Sequence, residues 1–123
     1  MKTWTGDELT RIEQTDELEV APVLDDGGMH APLPVWVVRD GEDLFIRSFH
    51  GPGGVWYRAA RSSHEGRIRC GGVAKDVTFV ETEDTGVNDR IDAAYRSKYG
   101  RFDQRYVDPL VAARDTTLRL VPR

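Results

Sequence analysis

The chain has 123 residues, enough for one domain, with 31% charged and 39% apolar residues, an ordinary balance for a folded soluble protein. A net charge of −4 argues against general nucleic-acid binding, and no run approaches the ~20 apolar residues of a membrane helix. Cys70 is the only cysteine, which excludes an intrachain disulfide and a cysteine zinc site, and the charged start "MKTWTGDELTRIEQ" has no apolar signal core, so a cytoplasmic protein is expected.

In chain order, "TGDE" at Thr5 to Glu8 is a capping box that predicts a first helix from Gly6 to about Gln14, with Leu9 and Ile12 as its apolar stripe. "ELEVAPVL" alternates and predicts a strand that buries Leu18 and Val20. "DDGGMHAPLP", residues 25–34, carries every signal of a loop. In "VWVVRDGEDLFIRSF" two β-rich runs flank Asp40 and Gly41, a favoured hairpin turn. Leu44, Ile46 and Ser48 share one face of the second run; Phe45, Arg47 and Phe49 share the other. Two apolar faces fit a barrel wall with something packed outside it.

"VWYRAARSS" predicts a short helix from Val55, and "RIRCGGVAKDVTFVE" two strands broken at Gly71 and Gly72, with Ile68, Cys70, Val73, Val77 and Phe79 facing inward. "NDRIDAAYRSKYG" predicts a helix capped by Asn88 and stopped by Gly100, with Ile91, Ala94, Tyr95 and Lys98 as its stripe. Asp108 and Pro109 predict the cap and first position of a further helix, and "TTLRLVPR" a last strand. The strands do not alternate with crossover helices, so the fold class is mixed α+β: a small antiparallel sheet or barrel with a few helices.

The candidate site is "LFIRSFHGPGGVWYRAA", residues 44–60. Arg47 is a permanent cation whose planar fork fits a phosphate, and Ser48 adds a hydroxyl. Gly53 and Gly54 can turn backbone N–H groups toward an anion ahead of a helix start. Trp56 and Tyr57 offer flat surfaces for a ring, and Arg58 adds charge. Residues 44–75 hold six cations (Arg47, Arg58, Arg61, Arg67, Arg69 and Lys75) against Glu65 alone, whereas residues 76–93 hold six acids against Arg90 alone. A positive middle in an acidic chain suits a small anionic ligand; solvated strand faces would look the same. Gly51 to Gly54 lack the Gly-Lys-Ser/Thr ending of a phosphate loop. His50 is the single candidate for proton transfer; the three histidines have no metal-ligand spacing, and an alternating Cys70 is expected to be buried and inert.

The runs "PVWVVRDGEDLFIRSFHGPGGVWYRAA", "GRIRCGGVAKDVTF", "DAAYRSKYG" and "TTLRLVPR" together resemble a bacterial family of small proteins of unknown function. That family is similar to the split-barrel flavin-binding superfamily, which includes pyridoxamine-phosphate-oxidase-like proteins and deazaflavin-dependent nitroreductases. The resemblance implies one split-barrel domain over residues 1–123, a homodimer, and FMN or a deazaflavin held between subunits. It places Arg47 and Ser48 where oxidase-like relatives hold the cofactor phosphate, and Gly53, Gly54, Trp56 and Tyr57 where deazaflavin-dependent relatives carry glycines and a Trp-Tyr pair. The chain departs from that pattern: "DDGGMHAPLP" stands where many relatives have a "GRKSG"-like segment, and no phosphate-binding lysine follows the loop. Three functions follow as alternatives. The first is a flavin- or deazaflavin-dependent oxidoreductase. The second is a non-catalytic module for flavin, heme or a small anion. The third is a ligand-free dimer in which Arg47 pairs with an acid such as Asp89 or Asp92.

Overall fold

The structure is a computed structural model and describes residues 3–123. Helix α1 (Gly6–Glu13) starts on the expected capping box: Thr5 Oγ1 accepts from the Glu8 N–H at 3.1 Å, and the Thr5 N–H donates to Glu8 Oε1 at 2.9 Å. Six antiparallel strands follow: β1 (Glu17–Pro22), β2 (Leu33–Asp40), β3 (Asp43–Ile46), β4 (Glu65–Cys70), β5 (Val73–Glu81) and β6 (Leu118–Pro122). They close in the order β1-β2-β3-β6-β5-β4. Helix α2 (Val55–Ser63) lies between β3 and β4, and α3 (Thr85–Tyr99) and α4 (Gln104–Ala112) lie between β5 and β6.

Two apolar layers result from the alternation of the strands. Leu18, Val20, Leu44, Ile46, Ile68, Val77, Phe79 and Leu120 fill the barrel, together with Leu9 and Ile12 of α1 and Trp56 of α2. Trp4 joins them, its indole N–H donating to the Leu120 carbonyl at 2.9 Å. Val38 and Phe45 point outward and form the second layer with Ile91, Tyr95 and Tyr99 of α3 and Val107 and Leu110 of α4. This is the wall with helices outside it that the two apolar faces of β3 require.

The turns explain several glycines. Asp40 pairs with Asp43, so the hairpin loop is Gly41 and Glu42, and Gly41 takes φ +63°. Gly71 and Gly72 both have positive φ between paired Cys70 and Val73, as a two-residue turn of this hand demands. A side chain on Gly71 would also strike the Arg11 carbonyl of α1 at 2.7 Å.

Two helix starts differ from the sequence reading. Asp84, not Asn88, caps α3: its carboxylate accepts from the Val87 N–H at 2.9 Å, and Asn88 is buried inside the helix. Asp103 caps α4, whose Pro109 sits within the helix rather than at its first position. In both cases an earlier acid does the capping, one turn or more ahead of the residue the pattern favoured. Gly100 does stop α3, but with a right-handed φ of −63°; it is needed because a Cβ there would strike the Arg96 carbonyl.

The barrel is split at β2. Residues 33–36 pair with β1 only, and residues 37–40 pair with β3 only. Each half of β2 therefore lacks a neighbour on one side. Helix α3 covers the later half: the Val37 N–H donates to the Tyr99 hydroxyl at 3.0 Å, and Lys98 Nζ donates to the Val37 carbonyl at 2.9 Å. Burial lowers the Lys98 ammonium and raises the Tyr99 phenol relative to their ordinary values. The earlier half, beyond the end of β3, borders a cleft.

Candidate functional site

Residues 47–50 leave β3 at its Ile46 end and separate two environments. Arg47 is 1% exposed, and its guanidinium is enclosed by protein on every donor. Its Nε donates to Thr117 Oγ1 at 2.9 Å. One terminal nitrogen donates to Asp92 Oδ1 at 2.6 Å and to the Leu110 and Val111 carbonyls at 3.1 and 3.2 Å. The other donates to the Asn88 carbonyl at 3.2 Å and to Asn88 Oδ1 at 2.9 Å. Thr117 Oγ1 in turn donates to Asn88 Oδ1 at 2.6 Å, and Arg114 reaches the second Asp92 oxygen at 2.7 Å. A guanidinium has five N–H groups, and this network accounts for all of them. Arg47 thus ties the end of β3 to α3 and to two carbonyls in the last turn of α4, of which that of Leu110 also accepts from the Ala113 N–H. Asp92 is the acid it pairs with; Asp89 pairs with Arg114 instead, at 2.9 Å.

Ser48 is fully buried and its N–H donates to Thr116 Oγ1 at 2.9 Å. Among the described residues its own hydroxyl has no partner, and it lies against Gly54, where a Cβ would come within 2.6 Å of it. The glycine turn bonds within itself: Gly51 N–H donates to the Ser48 carbonyl at 3.0 Å, and Gly54 N–H to the Gly51 carbonyl at 3.1 Å. Gly53 is exposed beside them.

The cleft lies on the other side of this segment and measures about 370 Å³. Residues 33–36 of β2 form one wall, including Trp36, whose ring is stacked on Tyr99 at 4.1 Å and 2°. Phe49 and His50 form the opposite lip, edge-to-face at 5.2 Å. Trp56 closes the inner end, and Tyr106 and Leu110 of α4 complete the lining with Glu17 at the start of β1. Arg47 borders the cleft too, but its charged head is spent as described. Phe49 and Tyr106 are 41% and 47% exposed, unusual for such large apolar side chains.

The sequence-predicted residues therefore separate. His50 and Trp56 meet at the cleft. Tyr57 is buried on the other side of α2, where its hydroxyl donates to the Asp115 carbonyl at 3.3 Å. Arg58 is exposed and borders a different hollow with Leu24, Asp25 and Val55. Much of the positive segment is neutralised by the acidic one: Arg61 pairs with Glu81 and Arg67 with Asp76, each at 2.9 Å. Cys70 is buried, and burial pushes its thiol up. Among the described residues, no group of three or more His, Cys, Asp or Glu side chains is placed to hold a metal ion, and no helix is long and apolar enough to cross a membrane.

Residues 8–120 match a family described as an uncharacterized protein conserved in bacteria, DUF2255. The chain belongs to this family. No curated protein matches it. Among solved structures, the heme storage protein HutZ from Vibrio cholerae superimposes with a TM-score of 0.74 at 16% identity, over 100% of this chain and 92% of its own. An F420 reductase superimposes at 0.59 and 14% identity, over 93% of this chain and 90% of its own. A FAD-binding protein from Mesorhizobium loti also gives 0.59, at 16% identity, over 99% and 92%. Identities this low speak for the fold alone, and the fold is the split barrel that the sequence resemblance implied.

Proposed function

We propose that this chain is a small-ligand-binding split barrel that seats a planar aromatic ring of the flavin type in the cleft beside β2. The observation that carries the reading is the cleft itself. Its volume falls within the ~300–1,000 Å³ of small-molecule sites, its lining is chiefly apolar and aromatic, and its rims expose Phe49 and Tyr106. Trp36, held by its stack on Tyr99, offers a rigid wall, and Phe49 and Tyr106 offer adjustable ones. The neighbours named for heme, F420 and FAD support a small ligand on this fold, by analogy of fold.

The ring portion of FMN or a deazaflavin fits this lining; the phosphate does not. Arg47, the phosphate holder that the resemblance suggests, has no N–H left to give. Ser48 Oγ is sealed beneath Gly54. We therefore assign no redox step, and a binding module is preferred to an oxidoreductase. The test is a thermal shift with riboflavin, alongside the visible spectrum of the purified protein. At about one hundred dissociation constants of ligand, stability should rise by ~2.7 kcal/mol. No shift at saturation would remove the reading.

A second reading rests on the exposure of Phe49 and Tyr106: the same rims bury against a second copy, giving a homodimer. Sedimentation of the protein with and without Phe49→Asp separates the two, since only an interface would lose mass.

A further inference from the structure

We infer that the cleft selects an uncharged planar heterocycle and gains nothing from a phosphate or other anionic tail; this rests on the cleft being a ligand site. Any anion entering the cleft needs a cation or free N–H groups to replace its water. Arg47 could turn to it only by abandoning Asp92, Asn88 Oδ1 and the Leu110 and Val111 carbonyls, all of which would stay behind in the interior. The other nearby cations are engaged or elsewhere. Arg61 is paired with Glu81, Arg114 with Asp89 and Asp92, and Arg58 borders a separate hollow.

The donors that remain are scattered: the open edge of residues 33–36, interrupted by Pro34, and the rings of His50 and Trp56. The amides of Gly51 and Gly54 are bonded within the turn. The one acidic side chain of the lining is Glu17, at the start of β1 and opposite Trp36 in the strand register. An anionic tail in the cleft would meet this carboxylate. The size agrees: about 370 Å³ lies near the lower end for small-molecule sites and suits a ring system better than a dinucleotide.

Riboflavin and its monophosphate share one ring and differ in the phosphate, so they isolate the point. Their dissociation constants are measured by fluorescence titration on the full chain at low ionic strength and about pH 8. Riboflavin is expected to bind at least as tightly as the monophosphate. Glu17→Gln should bring the affinity for the monophosphate closer to that for riboflavin measured on the same variant. A monophosphate that binds more than about threefold tighter than riboflavin overturns the inference while leaving the cleft a ligand site. If riboflavin, its monophosphate and the bare ring lumichrome all fail to bind, the cleft reading falls and the inference falls with it.

Discussion

Arg47 and Ser48 face inward and Phe49 and His50 face the cleft, so four consecutive residues divide two regions of opposite character. Behind them is a polar lock of Arg47, Asn88, Asp92 and Thr117, buried and bonded throughout. Ahead of them is an apolar cleft whose aromatic rims have few protein partners. The residue with the greatest capacity to bind an anion is the one most fully occupied by its own protein. The capacity left over belongs to side chains that chemistry-bearing motifs do not flag. A cation beside a glycine turn must be counted with its acceptors before it is offered to a ligand.

The sharpest way to break this comparison is Arg47→Met. It leaves Asp92 to Arg114, Asn88 Oδ1 to Thr117 and the Leu110 carbonyl to Ala113, each with one donor fewer, and strips the Val111 carbonyl of the Arg47 donor, at an expected loss of about 3–5 kcal/mol in urea unfolding. Arg47→Lys should recover little, because an ammonium cannot reproduce the fork. An Arg47→Lys protein as stable as the parent would dissolve the distinction between lock and cleft.

Two smaller effects probe the seams. Tyr99→Phe strands the Val37 N–H and should cost about 1–3 kcal/mol by thermal unfolding. Gly54→Ala should cost a similar amount, about 1–3 kcal/mol, since the new Cβ meets Ser48 Oγ. The backbone there, φ −59° and ψ 137°, tolerates any L-residue, so the collision alone carries the cost. Ser48→Ala should be neutral or slightly stabilising, because its hydroxyl has no partner, and combined with Gly54→Ala it should return most of the loss in a double-mutant cycle.

The smallest stability change belongs to the cleft. Phe49→Ala and Tyr106→Ala should each lie within about 0.5 kcal/mol of the parent in unfolding. Each should nonetheless weaken riboflavin binding, by roughly tenfold in titration. Unchanged binding in both would move the ligand site away from these rims.

Much of the fold was legible because it rests on short-range rules. The capping box set α1, period-two alternation set the strands, and paired glycines marked the β4–β5 turn, while the β2–β3 loop falls one residue later than the expected Asp40 and Gly41. The two apolar faces of β3 called for something packed outside the barrel, and α3 and α4 are what packs there. The helix starts were less legible, because Asp84 and Asp103 cap from positions that no apolar periodicity marks. The cleft was the least legible. It joins Glu17, Trp36, Phe49 and Tyr106, which lie far apart in sequence, and it exists only because β2 changes neighbours midway. The sequence reading kept Phe49 on the strand beside Phe45 and Arg47, but β3 ends at Ile46 and Phe49 lies past it, at the cleft.

That change of neighbours has a consequence for association. A closed barrel has no edge to which another chain can add a strand, but residues 33–36 of β2 reopen one, because β3 ends beside Val37. Pro34 lies within this short stretch and has no N–H to donate. An incoming strand would find a broken ladder beside an aromatic hollow. The split can therefore admit a flat molecule while remaining a poor template for growing a sheet from one barrel to the next.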